Sequence, residues 1–397
     1  MIHRPLRIVA VTAATVAALV TSGCADNSST GSSSDKGPIV IGASMALSGQ
    51  IVLDQIRDGY RMKIDEVNKA GGLEIDGKKR KIELKVLDNR SDTSTMVQQV
   101  RTLVLKNKAS AILGSCCQQN IDMQAQADSL KVPLVEVALP VELLPKGKGY
   151  TWDTFQALGD GANDFYSLAG KADNNKKVLI VTNNDAQGKG TADLWAGVGK
   201  KAGFTIEATK AVPTGSTDFS DVIKAGKSSK AEVLVASMTP PDCFAMWKQM
   251  KALDYAPKMA IGLQCAQTPG WGSLGELGDG TLVQTNWTKT SGLPYADKII
   301  KAYDKKYPNV NDLGSVAAGY HAADVVLAAI AKAGSSDREA INKALTAVTV
   351  DSALGPVAFK DNKSTTPTFI GQWEGGNVVQ VSPAKGAEPL KPLSGLN

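Results

Sequence analysis

The chain has 397 residues, of which 43% are apolar and 21% charged, and its formal net charge is +5. These proportions are ordinary for a globular protein, and no basic cluster is interleaved with aromatic residues, so we expect no nucleic-acid partner. Only two histidines occur, His3 and His321, which leaves almost no imidazole for a catalytic triad or a zinc site. We therefore expect no catalysis, no metal and no cofactor, and a hydrogen-bonded or half-exposed His321 within a helix.

Residues 1–23 predict a secretory signal, because a basic start precedes an apolar run from Ile8 to Val20 that is short for a membrane span. The sequence Thr21-Ser22-Gly23-Cys24 resembles a bacterial lipobox, which implies lipidation of Cys24, although that motif usually has Leu where this chain has Thr21. Ordinary secretion with an unmodified Cys24 is the alternative. Residues 24–37 are small and polar and predict a flexible tether.

The remaining chain, about 360 residues long, is long enough for two domains. Apolar, β-branched runs of strand length alternate there with segments of helical period, such as Met96–Leu105, which Ser91 or Asp92 could cap. This alternation predicts βαβ units, and a pause near residues 150–162 divides them into two doubly wound α/β lobes with parallel sheets. The predicted strands are Ile39–Met45, Lys81–Leu87, Ala111–Leu113, Pro133–Val137, Lys177–Thr182, Phe204–Ala208, Glu232–Ala236, Lys258–Ile261 and Thr281–Gln284.

Three further helices and a few short strands complete the predicted elements. The helices are expected at Tyr295–Lys305, Ser315–Ala333 and Asp337–Ala347, and the strands at Pro356–Phe359, Thr366–Trp373 and Asn377–Val381. In open parallel sheets, ligands bind at the loops that leave the carboxyl ends of the strands. These loops are Ala46–Val52, Ser115–Asn120, Ala138–Val141, Asn183–Gly190, Met238–Cys243 and Leu263–Thr268.

Several segments, in this order, resemble the branched-chain amino-acid-binding (leucine/isoleucine/valine-binding) family of type I periplasmic binding proteins. They include IVIGASMALSGQ, VLIVTNNDAQGKG, PTGSTDFSDVIKAGKSSKAEVLVAS and VAAGYHAADVVLAAIAKAGSSDREAINKAL. The resemblance implies two lobes joined by three crossovers, near Thr151–Gly159, Thr285–Thr290 and Leu354–Val357. Lobe 1 would then comprise residues 38–153 and 288–354, lobe 2 residues 154–287 and 355–385, and residues 386–397 would form a tail.

The same resemblance implies which residues contact a ligand. In the first lobe they are Cys116, Cys117, Gln118 and Gln119, where the family usually has hydroxyls, and Ala138 and Leu139 in the next loop. In the second lobe they are Gln187, Thr239 and Gln264.

The position of the carboxylate that meets a ligand's ammonium in the family matches Gln264, a neutral amide. Glu136 or Asp185 could substitute, although Asp185 is well placed to cap a helix and Glu136 could be a polar strand end. We therefore expect a neutral or carboxylate-bearing ligand with an apolar or aromatic body more than a leucine-like one. Trp152, Phe155 and Trp271 are candidate aromatic contacts, and Trp271 could equally be core.

The four cysteines after Cys24 suggest disulfides, since the predicted compartment is oxidising. Cys243 and Cys265 follow neighbouring strands of the second sheet, whose spacing of about 5 Å would allow a bridge. Cys116 and Cys117 could form a vicinal disulfide. The alternative for either pair is that the cysteines stay reduced and buried.

The predicted function is that of an extracytoplasmic, lipid-anchored substrate-binding component of an ABC importer. Its partners would be a small-molecule ligand, the permease and ATPase subunits, and the membrane through the lipid on Cys24, with the protein itself a monomer. A sensory or regulatory module that uses the same clamp is the alternative, and an enzyme on this fold is a third.

Overall fold

The computed structural model describes residues 37–137, 149–155, 157–289, 291–307, 313–364, 366–382 and 390–396, with only the backbone at Cys117, Gln118 and Pro269. The signal, the tether up to residue 36, Cys24, Ala138 and Leu139 lie outside this part of the chain. Its strands are β1 (Ile39–Met45), β2 (Leu73–Ile75), β3 (Lys78–Arg80), β4 (Ile82–Asp88), β5 (Ala111–Leu113), β6 (Leu134–Glu136), β7 (Thr151–Asp153), β8 (Lys177–Asn183), β9 (Thr205–Val212), β10 (Val233–Ser237), β11 (Met259–Gly262), β12 (Leu282–Thr285), β13 (Thr349–Ser352), β14 (Gly355–Lys360), β15 (Lys363–Ser364), β16 (Phe369–Glu374) and β17 (Asn377–Ser382).

The helices lie mostly between these strands, as the alternating sequence pattern predicts. They are α1 (Asp54–Lys69), α2 (Thr93–Arg101), α3 (Cys117–Leu130), α4 (Leu158–Ala169), α5 (Ala186–Lys201), α6 (Ser220–Ser229), α7 (Pro240–Ala252), α8 (Ala296–Tyr303), α9 (Gly314–Ala333) and α10 (Arg338–Leu345). A π-helical segment, Thr102–Lys106, extends α2, and Pro269–Leu277 and Ser394–Leu396 form 3₁₀ turns. As predicted, Asp92 caps α2, accepting the Thr95 N–H at 2.7 Å.

Two large sheets contain all the strands except the hairpin β2–β3. The first has the order β13-β14-β15-β7-β6-β5-β1-β4, and the second the order β17-β16-β12-β11-β10-β8-β9. The neighbours from β4 to β7 and from β9 to β12 pair in parallel, whereas β16 and β17 add antiparallel strands at one edge. All five residues of β10 are buried, as expected for a parallel strand covered by helices on both faces. The predicted α/β class with two parallel-dominated sheets is confirmed.

The chain passes between the two sheets three times, after β7, after β12 and after β15. The first two passages fall at the predicted crossovers, the second of which was expected to run to Thr290, a residue outside the described part. The third was expected at Leu354–Val357, which is wrong, because β14 and β15 still belong to the first sheet. Residues 355–364 therefore lie in the first lobe and not in the second. The short strands β13 and β15 gave no separate signal in the sequence.

Helix α9 is the central helix of the first lobe and packs against α1 and α10. Its length and hydropathy would suit a membrane span, but 72% of that stretch is buried inside the fold, which identifies a core helix. His321 lies on α9 with no exposed surface, and its Nδ1 accepts the Leu354 N–H at 3.4 Å. Burial lowers the pKa of His321 to about 3, so the ring is neutral and belongs to the core.

Candidate functional site

The two sheets present the carboxyl ends of their parallel strands to a shared cavity. On the first-lobe side it is lined by residues that follow β1, β5 and β6, and by the first turn of α9. On the second-lobe side it is lined by residues at or after the ends of β8, β10, β11 and β12. The described lining residues are Ile51, Leu53, Ile56, Cys116, Val137, Phe155, Leu158, Gln187, Thr191, Ser237, Pro240, Leu263, Gln264, Gln267, Thr268, Thr285, Asn286, Gly314, Ser315 and Ala318.

Two further spaces continue this cavity, because they share lining residues with it. One also contacts Cys116, Gln187 and Gln264 and extends to residues such as Gln119 and Thr239. The other opens between Val52 of the β1–α1 loop and Phe244 of α7. We call these three spaces together the cleft. Apolar and polar side chains line the first cavity in similar numbers, and its polar groups are amides and hydroxyls.

The polar centre of the second-lobe wall is a pair of carboxamides. The Nε2 of Gln187 donates to the Oε1 of Gln264 at 2.6 Å, and both side chains line the first and the second space. Gln187 lies in the first turn of α5, which starts there because the Asp185 carboxylate accepts the Gly188 N–H at 2.6 Å. Gln264 lies in the turn after β11. The loops after β8 and β11 thus bring two residues 77 positions apart into contact.

A buried carboxylate fixes the loops behind this wall. Asp242, in the first turn of α7, is 1% exposed. Its Oδ2 accepts from Asn183 Nδ2 and from Thr239 Oγ1, both at 2.8 Å, and its Oδ1 accepts the Gly215 N–H at 3.0 Å. The Oδ1 of Asn183 accepts a hydrogen bond from the Thr239 N–H at 2.7 Å. One side chain therefore ties together the loops that follow β8, β9 and β10, a role that the sequence did not indicate.

The first-lobe wall contains a similar amide network. Gln119 exchanges hydrogen bonds with Asn89, at 3.2 and 3.3 Å, and accepts from the Ser115 hydroxyl at 3.1 Å. Asn120, fully buried, accepts the Ser115 N–H at 2.8 Å. These bonds fix the turn between β5 and α3 at the edge of the cleft. Cys116, in the same turn, is buried and lines two of the three spaces.

The acidic residues proposed as substitutes for the family carboxylate have other positions. Glu136 is fully buried opposite Asp153 in the β6–β7 register and lies beneath Gly114, where an added Cβ would come within 2.3 Å of its Oε2. Burial, and then Asp153, raise the pKa of Glu136 well above its usual range, which favours the protonated form. It is not among the described lining residues. Asp185 lines the second space but caps α5, as its alternative interpretation predicted.

The tyrosine hydroxyl behind this turn is also fixed. Tyr60 of α1 donates to the Gly114 carbonyl at 2.9 Å, and the phenol is completely buried. Burial raises the pKa of Tyr60 well above its usual range, and Glu136 and Cys116 raise it further. Tyr60 is therefore a neutral hydrogen-bond donor that anchors the β5–α3 turn to α1.

Five of the predicted ligand contacts line the cleft: Cys116, Gln119, Gln187, Thr239 and Gln264. The described part of the chain excludes the side chains of Cys117 and Gln118 and all atoms of Ala138 and Leu139. The vicinal disulfide between Cys116 and Cys117 therefore stays a prediction.

Among the candidate aromatic contacts, only Phe155 lines the cleft. Trp152 is core, with its ring 5.2 Å from that of Phe359 and its Nε1 bonded to Asn342. Trp271 is also core, in edge contact with Trp247 at 4.9 Å.

Sequence reasoning missed most of the apolar lining, including Leu53, Ile56 and Leu158. Each lies in or next to the first turn of a helix, where its apolar character is indistinguishable from that of a core residue. Ser237 was missed as well, because it is the last residue of a buried strand. The segments from the ends of the parallel strands to the first turns of the following helices contain these positions, and this signal could have identified them.

The predicted bridge between Cys243 and Cys265 is present. The two Cα atoms are 6.1 Å apart, and neither cysteine has exposed surface. The bridge forms where predicted because β10 and β11 are parallel neighbours, so that the segments after their carboxyl ends lie side by side.

Comparison with known proteins gives a consistent result. Residues 38–377 match a family profile described as periplasmic binding protein. The Leu/Ile/Val-binding protein homolog 3 of Brucella melitensis is 26% identical over 350 residues, which cover 86% of this chain and 93% of that protein.

Two solved structures are similar in fold. The leucine-binding protein LivK of Thermotoga maritima has a TM-score of 0.76 at 21% identity, over 86% of this chain and 97% of that one. A solute-binding protein of an ABC transporter from R. palustris, in complex with benzoate, has a TM-score of 0.75 at 18% identity, over 87% and 96%. With its two parallel-dominated sheets and the profile match over most of its length, the chain belongs to the periplasmic binding protein family, in its type I form.

Proposed function

We propose that this protein captures a small molecule in the cleft as the substrate-binding component of an ABC importer. The observation that carries the proposal is that the carboxyl ends of both sheets line one cavity, whose wall combines apolar side chains with amides and hydroxyls, the Gln187–Gln264 pair among them. Small-molecule sites occur preferentially in clefts between domains, where placed polar groups orient the ligand and apolar side chains cover it. The similarity to solute-binding proteins for amino acids and for an aromatic acid supports the same function.

The ligand that fits this wall carries a neutral amide or a carboxylate on an apolar or aromatic body, or is amino-acid-like. An ammonium group placed against the amide pair would find Gln264 at the position where the resemblance implies a carboxylate in the family, and Glu136 is buried behind the β5–α3 turn. A buried cation without a charged partner is costly. Aliphatic and aromatic lining from Ile51, Leu158 and Phe155 would cover the body of the ligand.

Capture would involve closure of the two lobes around the three crossovers, since hinged domains that share a cleft commonly close on their ligand. The importer's permease and ATPase would be the protein partners. Secretion and a lipid on Cys24 would hold the protein, as a monomer, at the outer face of the cell membrane. Metabolic labelling with a fatty-acid analogue tests the anchor: the wild-type protein should be labelled and Cys24→Ser should not.

Substitutions at Gln264 test both the site and the ligand's charge. Gln264→Ala should weaken binding by about 0.5–1.5 kcal/mol, the net value of one neutral hydrogen bond, with more if Gln187 is left buried and unpaired. Gln264→Glu keeps an acceptor for the Gln187 amide. It should strengthen binding of an amino acid through its ammonium and weaken binding of a carboxylate by like-charge repulsion.

Isothermal titration calorimetry with leucine, benzoate and benzamide measures these effects. Gln98→Glu on the exposed face of α2 makes the same chemical change away from the cleft and should leave all three affinities unchanged. If neither Gln264 variant alters the affinity of a compound that binds the wild-type protein, Gln264 is not in the site.

A further inference from the structure

We infer that the Cys243–Cys265 disulfide is a positioning element of the ligand site, which holds Gln264 opposite Gln187. The inference rests on the proposed function only for its consequence for binding, since the positioning itself is a property of the free protein.

The disulfide joins two segments that both form the cleft wall. Cys243 is the fourth residue of α7, whose start contributes Thr239 and Pro240 to the cleft. Cys265 directly follows Gln264 in the turn of residues 263–268, which also contributes Leu263, Gln267 and Thr268. The bond therefore lies immediately behind the wall, with Cys243 next to Asp242, which fixes the loops behind that wall, and Cys265 next to Gln264, which lines the cleft.

Besides the Gln187–Gln264 bond, several hydrogen bonds of this turn lead to strands. The Leu263 N–H donates to the carbonyl of Ala236 at 2.8 Å, and Gln267 Nε2 donates to the carbonyl of Gln284 at 2.7 Å. Trp373 Nε1 donates to the carbonyl of Ala266 at 2.9 Å. These contacts hold the turn on the sheet, to β10, β12 and β16.

The disulfide adds a covalent link from this turn to the first turn of α7. That first turn is itself fixed, because the Asp242 carboxylate binds Asn183, Thr239 and Gly215. Asn183 ends β8, three residues before α5 begins at Ala186, and Gln187 follows in the first turn of α5. Through α7, the disulfide thus fixes the position of Gln264 relative to the loop that carries Gln187. A displacement of about 1 Å would take amide atoms that are now 2.6 Å apart beyond hydrogen-bonding distance, and a covalent link at this point limits such a displacement.

The double variant Cys243→Ala/Cys265→Ala tests the inference without leaving a reactive thiol. Hydrogen–deuterium exchange of the mature protein, free of ligand, should show amides in residues 263–268 and 239–243 exchanging at least about tenfold faster than in the wild-type protein, through easier local opening. Val326→Ala is the control, because it removes buried methyl groups from the core of the first lobe and lowers stability without touching α7 or the turn. It should leave exchange of both segments unchanged.

The Kd of the ligand distinguishes positioning from stabilisation, because a bond that only stabilised the fold would leave the Kd unchanged. For whichever of leucine, benzoate and benzamide binds the wild-type protein, the double variant should raise Kd by about threefold to tenfold, within the value of one neutral hydrogen bond. In the variant without the disulfide, Gln264→Ala should have a smaller further effect than in the wild type, because the two changes act on one contact.

Unchanged protection of both segments would overturn the inference, and so would faster exchange with an unchanged Kd. Failure of the proposed function has a different result: no compound binds the wild-type protein, while the exchange data still report whether the bond fixes the turn.

Discussion

Replacing Gly319 with alanine should lower the free energy of unfolding by about 3 kcal/mol or more, at the upper end of the cost of overpacking a core. Gly319 lies where α9 crosses α1, and an added Cβ would be 2.2 Å from the carbonyl oxygen of Ile56 and 3.1 Å from the Cα of Gly59. These are backbone atoms, so no side-chain rotation relieves the overlap, and the helices would have to separate. Urea denaturation of the mature protein measures the loss.

Gly197→Ala provides the matched control. Gly197 also lies within a helix, α5, but an added Cβ there meets no atom within 4 Å. Alanine should therefore stabilise the protein by about 0.5–1 kcal/mol through its better helix propensity. Equal stabilities for the Gly319 variant and the wild-type protein would contradict the close crossing of α1 and α9.

Asp242→Ala should cost about 3 kcal/mol of stability and weaken ligand binding as well. The substitution leaves the buried amide of Asn183, the hydroxyl of Thr239 and the N–H of Gly215 without their acceptor. Each unsatisfied buried group costs about 1–3 kcal/mol, partly offset by relaxation. Asp242→Asn should also destabilise, because its amide NH₂ would replace one of two oxygens that both accept hydrogen bonds.

The control for Asp242 is Asp193→Ala on α5. Asp193 forms an ion pair with Lys189 at 3.0 Å, but both side chains are more than 70% exposed. Such surface pairs contribute little, so the unfolding free energy should change by less than about 0.5 kcal/mol. Thermal unfolding of the three variants at neutral pH measures the loss of stability at each position. A loss of stability at Asp193 as large as that at Asp242 would contradict the role of Asp242 in fixing the three loops.

The sequence predicts the architecture because the strands are locally distinct. Runs such as Ile39–Met45 and Val178–Val181 are largely apolar and rich in β-branched residues, which is typical of a parallel strand covered on both faces. The third crossover was misplaced because β13 and β15 are four and two residues long, and such strands have no periodicity to detect. Their position in the first sheet is decided by tertiary pairing.

The site was predictable only in part, and for two different reasons. The resemblance aligned Gln187 and Gln264 with family positions, but their mutual hydrogen bond depends on the distance between two loops, which no local pattern contains. The proximity of Cys243 and Cys265, in contrast, follows from strand order, whereas the sequence left both the oxidised and the reduced state open. The role of Asp242 could not be foreseen, because an acidic residue in the first turn of a helix is ordinarily explained by the helix dipole.

We propose that the cleft binds a small molecule through the Gln187–Gln264 pair. If it does, compounds that bind there should raise the thermal unfolding midpoint of the mature protein. A ligand that binds only the folded state adds about 2.7 kcal/mol of stability at 100 times its Kd. Among leucine, benzoate and benzamide, at least one should raise the midpoint of the wild-type protein clearly, and the rise should be much smaller in Gln187→Ala/Gln264→Ala at the same concentration. No rise with any of the three classes, or an equal rise in the double variant, would contradict the claim.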